Sequence, residues 1–286
     1  MKEIFIFFLH GLSYSGLLFL IASGLTLVFG MMRVLNFAHA SFYMLGAYFS
    51  YTIAVWSDHF WVSLIFGPLI LFMIGAIIER VFLRRVHTFG LVYDLLLTFG
   101  LGYVIGEVVK WIWGTKPLSV SVSGILNDTV IFFGISYPIY RLFILFVAML
   151  IGILLAIILF RTKLGIIIRA AVDDNQMVNA LGVNIPLIFM SVFAFGAALA
   201  GFAGVIAGPL LSTSTDMANL VLIDAFVVVI VGGLGSLRGS VVSSLIVGQL
   251  NSFGVLLIPR ISMALIYLMM AIILVYKPLG LFGVKK

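Results

Sequence analysis

The chain has 286 residues, 64% of them hydrophobic and 9% charged, with a mean hydropathy of +1.31. An average soluble domain is roughly a quarter charged, so a surface this poor in ionisable groups cannot face water, and a soluble enzyme is excluded. The net charge of +6 fits basic cytoplasmic loops of a membrane protein better than a nucleic-acid partner, and the lack of cysteine removes disulfides, thiolate metal sites and cysteine nucleophiles.

One spanning helix takes about 20 apolar residues, so this length allows roughly eight to ten spans in one membrane domain. That domain covers 1–286. The first apolar run, 4–29, is longer than the about 7–15 residues of a signal-peptide core and reads as a retained span. Further runs follow at 38–56, 61–78, 91–113, 140–160, 187–211, 220–235, 239–258 and 262–276. The seventh and ninth are short, which suits re-entrant or half-helices. The runs are continuously apolar, without the alternation of a β-barrel strand. The expected fold is therefore an all-α polytopic membrane bundle of about eight to nine spans, some interrupted. The loop at 114–138, rich in Ser and Val, suits a small hairpin cap.

Nine crossings put eleven of the sixteen Lys and Arg on one side, including Arg80, Arg84, Arg85, Arg161, Lys163, Arg169, Lys277, Lys285 and Lys286. The positive-inside bias then places the C-terminus and the 161–186 loop in the cytoplasm, and the N-terminus outside.

Two glycine-interrupted segments in comparable positions, 30–42 and 232–240, each follow an apolar run and carry one Arg. Paired interruptions of this kind point to a transport site built from broken helices. Asn36, His39 and Ser41 in the first, and Gly232, Gly233, Gly235 and Ser236 in the second, are the candidate pathway residues. Two plain turns are the competing reading. Among the membrane acids, Asp94 and Asp224 are expected at helix starts, near the positive end of the dipole. Glu107 and Lys110, three apart, can pair. No acid is expected at mid-helix, which argues against a proton-coupled carrier.

In the 161–186 loop, Asp173, Asp174, Asn175 and Gln176 read as a capping box, with Asp173 at the N-cap and Gln176 reaching back. Met177, Val178 and Leu181 make an apolar stripe, and Gly182 suits the left-handed C-terminal position. Pro186 forces a break before the next span. A short capped helix with an acidic start and an apolar face suits docking onto a protein better than lying on lipid headgroups, where Lys and Arg are usual. Phosphate-loop and HExxH motifs are absent, and the four histidines have no metal-ligand spacing, so no catalytic or metal site is expected. A transporter of this kind driven by ATP would need another subunit to bind the nucleotide.

Four ordered stretches resemble the permeases of branched-chain amino acid ABC importers, in the shorter of that family's two types. They are Asn36-Phe37-Ala38-His39; Arg169-Ala170-Ala171 with Leu181-Gly182; Gly232-Gly233-Leu234-Gly235-Ser236; and Pro278-Leu279-Gly280-Leu281-Phe282-Gly283. One departure is Ala40, where the family usually has Gly; a left-handed turn there would suit Ala poorly. The resemblance implies a permease subunit of the bacterial inner membrane. Its implied partners are a second homologous permease, two cytoplasmic ATPases and an extracytoplasmic solute-binding protein, and no cofactor of its own. Arg169 and residues 173–182 would form the coupling helix. Branched-chain or other hydrophobic amino acids are the first implied substrates; urea, amides, small aromatic acids and sugars are the alternatives. A stand-alone channel or ion-coupled carrier is the competing class.

Overall fold

The computed structural model describes residues 2–122, 124–132 and 134–283. Lys285 and Lys286, counted above in the charge bias, lie outside them. In lipid each backbone polar group must be satisfied within its own segment, and the apolar runs accordingly become helices. In chain order these are α1 (Lys2–Met32), α2 (His39–Ser57) and α3 (Phe60–Ile78), which continues through a π-helical turn (Glu79–Leu83) into the single turn α4 (Arg84–Val86). Then come α5 (Leu91–Trp113), strands β1 (Thr129–Phe132) and β2 (Ile135–Pro138), and α6 (Ile139–Arg161). The 161–186 loop holds α7 (Lys163–Asp173) and α8 (Asn175–Ala180). The chain continues as α9 (Ile185–Leu211), α10 (Met217–Gly232), α11 (Leu237–Leu257) and α12 (Ser262–Tyr276).

Each of the nine apolar runs is a helix. Among the described residues, seven helical stretches are long and apolar enough to cross a membrane; the remaining two runs are α2 and the 16-residue α10. The chain is a multi-pass membrane protein. α2 can be less apolar, with His39, Tyr43 and Tyr48, because its first ten residues are buried in protein rather than lipid. It packs mainly on α9 and α3, while α1 packs on α11, α9 and α6. The α2–α9 crossing is a backbone contact. A Cβ on Gly46 would strike the Gly201 carbonyl, and one on Gly204 would strike that of Tyr43. Close approach of small residues is what holds helices together where lipid removes the hydrophobic drive.

The expected hairpin is present at the α5–α6 connection, with β1 and β2 antiparallel and Thr129 opposite Pro138. At the other end of the bundle, Arg84 makes a two-pronged ion pair with the buried Glu79 (2.8 Å at the shorter contact) and donates to the Pro186 carbonyl at 2.9 Å. That contact ties the end of α3 to the start of α9. Ala40 lies in α2, with a helical backbone, so the departure from the family's Gly carries no strain.

Candidate functional site

The first interrupted segment leaves α1 at Met32, turns at Arg33 (φ 55°) and doubles back into the bundle. His39 Nε2 donates to the Ile21 carbonyl at 2.9 Å, about three helical turns before the end of α1. Residues 33–38 are thus non-helical backbone at depth, which lipid tolerates only when protein or a cavity surrounds it. The Phe37 N–H donates to Thr98 Oγ1 on α5 at 3.2 Å, and that hydroxyl donates to the Asp94 carbonyl at 2.9 Å. Ser41 Oγ donates to the Gly102 carbonyl at 3.3 Å. Asn36 and His39 are each 1% exposed, yet Asn36 Oδ1 and His39 Nδ1 have no protein partner. Leaving such a group unpaired costs about 1–3 kcal/mol.

Two cavities meet this segment from opposite ends. One, of about 180 Å³, opens towards the hairpin end between α5 and α10 and is lined by Phe37, Ser41, Met44, Phe99, Lys110 and Asp216, among others. The other, of about 800 Å³, lies at the α7–α8 end, with Arg33, Leu35, His87, Asp94 and Phe189 on its wall. Asp173, Asp174, Asn175 and Gln176 border the same cavity. His87 Nδ1 donates to Asp94 Oδ2 at 2.7 Å, while the buried Oδ1 has no partner.

The second segment is a tight turn between α10 and α11. Ser236 caps α11, its Oγ accepting the Gly239 N–H at 3.1 Å. The glycines serve backbone crossings. Gly235 sits against Gly30, so the two interrupted segments touch, and Gly232 sits against Gly239. Gly233 (φ 102°) leaves 2.5 Å between a built Cβ and the Gly283 nitrogen. The C-terminal stretch folds onto this turn through Leu281 N–H to Val231 O (2.8 Å) and Phe282 N–H to Gly232 O (3.0 Å). A side chain at Gly233 would therefore disturb packing as well as any route past it.

A family model described as the permease component of the branched-chain amino acid transport system matches residues 7–274. The chain belongs to this permease family. It is 28% identical to the high-affinity branched-chain amino acid transport system permease protein LivH of Salmonella typhimurium over 272 residues, 87% of this chain and 86% of the relative. BraD, the similarly described permease protein of Pseudomonas aeruginosa, is 26% identical over 290 residues, 96% of this chain and 94% of that one. A probable LivH of Methanocaldococcus jannaschii is 27% identical over 249 residues, 82% of this chain and 76% of its own length. No solved structure is significantly similar.

In this permease the 161–186 loop differs from expectation in three ways. The cap of α8 is Asp174, not Asp173: its Oδ1 accepts the N–H groups of Gln176 at 3.0 Å and Met177 at 2.9 Å. Asp173 instead ends α7, an 11-residue amphipathic helix whose apolar face the sequence reading did not separate from α8. The stripe is also split, since Val178 is buried at 6% exposure while Met177 and Leu181 are 59% and 75% exposed. Gly182 does take the left-handed position, at φ 86°. Arg169 donates to the Leu159 carbonyl, and its guanidinium stacks on Phe160 at 5.7 Å. Arg238, from the start of α11, stacks on the same ring at 5.5 Å, which joins the 161–186 loop to the second segment.

The acids need one correction. Asp94 is in the first turn of α5, as expected, and Lys110 pairs with Glu107 at 2.7 Å. Asp224, however, sits halfway along α10, its Oδ2 accepting from the Tyr14 hydroxyl at 2.5 Å. The helix begins at Met217, three residues before the apolar run, so an acid that looked terminal lies at mid-helix. Phe37, Thr98 and Phe226 were not singled out by sequence; Phe37 was visible only inside the family stretch, and nothing local marks the other two.

Proposed function

We propose that this permease is the membrane-spanning subunit of an ABC importer for branched-chain and other hydrophobic amino acids in the bacterial inner membrane. The observation that carries this is the pair of cavities, each with charged groups and apolar walls, that approach the buried break between α1 and α2 in a member of the permease family. Lys110, Glu107 and Asp216 in one, and Arg33 and Asp94 in the other, suit the two charges of a zwitterion. Met44, Phe99, Leu35 and Phe189 suit an aliphatic side chain. The substrates in the relatives' names support the same choice.

In this reading the pathway residues are Asn36, His39 and Ser41, with residues 232–236 bracing them through Gly30. A second homologous permease would complete the translocation unit. ATP is bound by two cytoplasmic ATPases. These engage α7–α8 through the exposed Met177 and Leu181, and an extracytoplasmic binding protein delivers the solute. The reading is tested by uptake of labelled leucine, isoleucine and valine into vesicles carrying the chain with its candidate partners. Accumulation should require both ATP and the ATPase subunits. Equal uptake without the ATPases would sink it and favour a carrier.

A further inference from the structure

The two cavities are walled by successive parts of one short stretch of chain. Arg33 and Leu35 face the cavity at the α7–α8 end, whereas Phe37, Ala40 and Ser41 face the one at the hairpin end. The same division runs along α5, where Leu91 and Asp94 line the first cavity and Phe99 and Gly102 line the second. Between them lies Thr98, 1% exposed and bonded to the Phe37 N–H. The Phe37 ring is held there by Phe226 of α10, with centroids 5.1 Å apart, and by Phe99 of α5, edge-on at 6.2 Å. α5, α10 and the interrupted segment converge at this one level.

We propose that Phe37 is the barrier of the translocation route, its ring clamped between Phe99 and Phe226 and its backbone tethered to Thr98, separating an outer from an inner amino-acid cavity. This rests on the importer reading above and adds the residue that keeps the route closed. The barrier is an aromatic side chain on non-helical backbone, so it moves by rotation of a few dihedrals near Arg33 rather than by displacement of a whole helix. The unpartnered Asn36 Oδ1 and His39 Nδ1 flank it. Opening would expose both to water or to a passing ammonium or carboxylate, so the closed state is held less tightly than its packing alone suggests. The wall of the inner cavity includes the α7–α8 turn, residues 173–176, so a push on that turn acts on the chamber directly below the ring.

The natural absence of cysteine makes the test direct. Single cysteines replace Ser41 and Leu35 in the assembled transporter, in ATP-free vesicles of both orientations, and a charged, impermeant methanethiosulfonate is added from each side. Ser41→Cys should react only from the hairpin side and Leu35→Cys only from the α7–α8 side. Both reacting from the same side would overturn the barrier while leaving the importer reading intact. Neither reacting, with ATP-driven leucine uptake normal, would remove this segment from the route altogether. Independently, Phe37→Ala should raise ATP-independent leucine equilibration by about tenfold or more, while Phe37→Trp should not. Thr98→Val, which keeps the ring but removes the tether, should leak to a lesser degree. A Phe37→Ala transporter that pumps normally and stays tight would refute the proposal.

Discussion

At the scale of single residues, Asp224 and Tyr14 form a part-buried polar pair among apolar helices, with no other side-chain hydrogen bond to the carboxylate among the described residues. Removing one member of such a pair strands the other, which costs about 1–3 kcal/mol, whereas removing both is far milder. Tyr14→Phe should therefore lower the unfolding temperature in detergent, and Tyr14→Phe with Asp224→Leu should recover most of the loss. Finding the double variant as unstable as the single one would show that the pair does not act as a unit. Asp224 also marks the limit of reading helix ends from hydropathy. The apolar run starts at Leu220, but α10 takes in Met217, Ala218 and Asn219 because buried protein contacts at Met217 and Ala218 hold them. A hydropathy profile registers lipid-like character and cannot see a helix end stabilised by tertiary packing. The capping error has a similar origin. Two adjacent aspartates fit the same pattern, and the choice of Asp174 follows from α7 running on through Asp173.

At the scale of elements, the α2–α9 crossing and the α7–α8 loop make opposite demands. Gly204 lies against the Tyr43 carbonyl, with Ala47 N 3.0 Å from a built Cβ, so neither helix can yield without losing the contact along its length. Gly204→Ala should therefore cut the yield of folded protein sharply. Gly106→Ala on α5, with nothing within 4 Å, should be neutral or slightly stabilising, by about 0.4–1 kcal/mol. Similar losses at both positions in a detergent-resistance assay would contradict this packing. In the α7–α8 loop the split stripe lets folding be tested apart from the proposed docking. Val178→Asp would bury a carboxylate in the core and should destabilise the chain itself. Met177→Asp with Leu181→Asp changes only exposed side chains and should release the ATPase subunits while the membrane core stays folded. Copurification of that double variant with its ATPases at full uptake would rule out docking there. Helix existence was legible because lipid enforces it, and the glycine segments stood out because they interrupt it. The path between them was not legible, since Thr98 and Phe226 lie on ordinary-looking apolar helices and gain meaning only from residues far away in sequence.

At the scale of the whole molecule, the nine long helices among the described residues alternate in direction, so every connection between them can be assigned to one of two ends. The α7–α8 end carries Arg33, Arg80, Arg84, Arg85, Arg161, Lys163, Arg169, Arg238 and Lys277, and the hairpin end carries Lys2, Lys110, Lys116, Arg141 and Arg260. The positive-inside bias makes the first end the expected cytoplasmic one. Three of its cations do not report freely on the aqueous phase, since Arg84 pairs with buried Glu79 and Arg169 and Arg238 stack on Phe160. At the hairpin end Lys110 pairs with Glu107 and Arg141 bonds to His10, so with partnered cations set aside at both ends the bias is six against three, a margin of three charges. Orientation therefore needs a direct test at positions whose replacement costs nothing. Arg84 and Asp174 are poor choices, because unpairing buried Glu79 could cost about 3–5 kcal/mol and removing a helix cap about 1 kcal/mol. Arg85 and Asn179 are exposed and make no such contact at the same end, and Lys116 is exposed at the other. In intact cells an impermeant thiol reagent should modify Lys116→Cys and spare Arg85→Cys and Asn179→Cys, and all three should react once the membrane is permeabilised. The reverse pattern would turn the molecule over in the membrane. The exposed face of α8 would then lie outside the cell, beyond the reach of any ATPase.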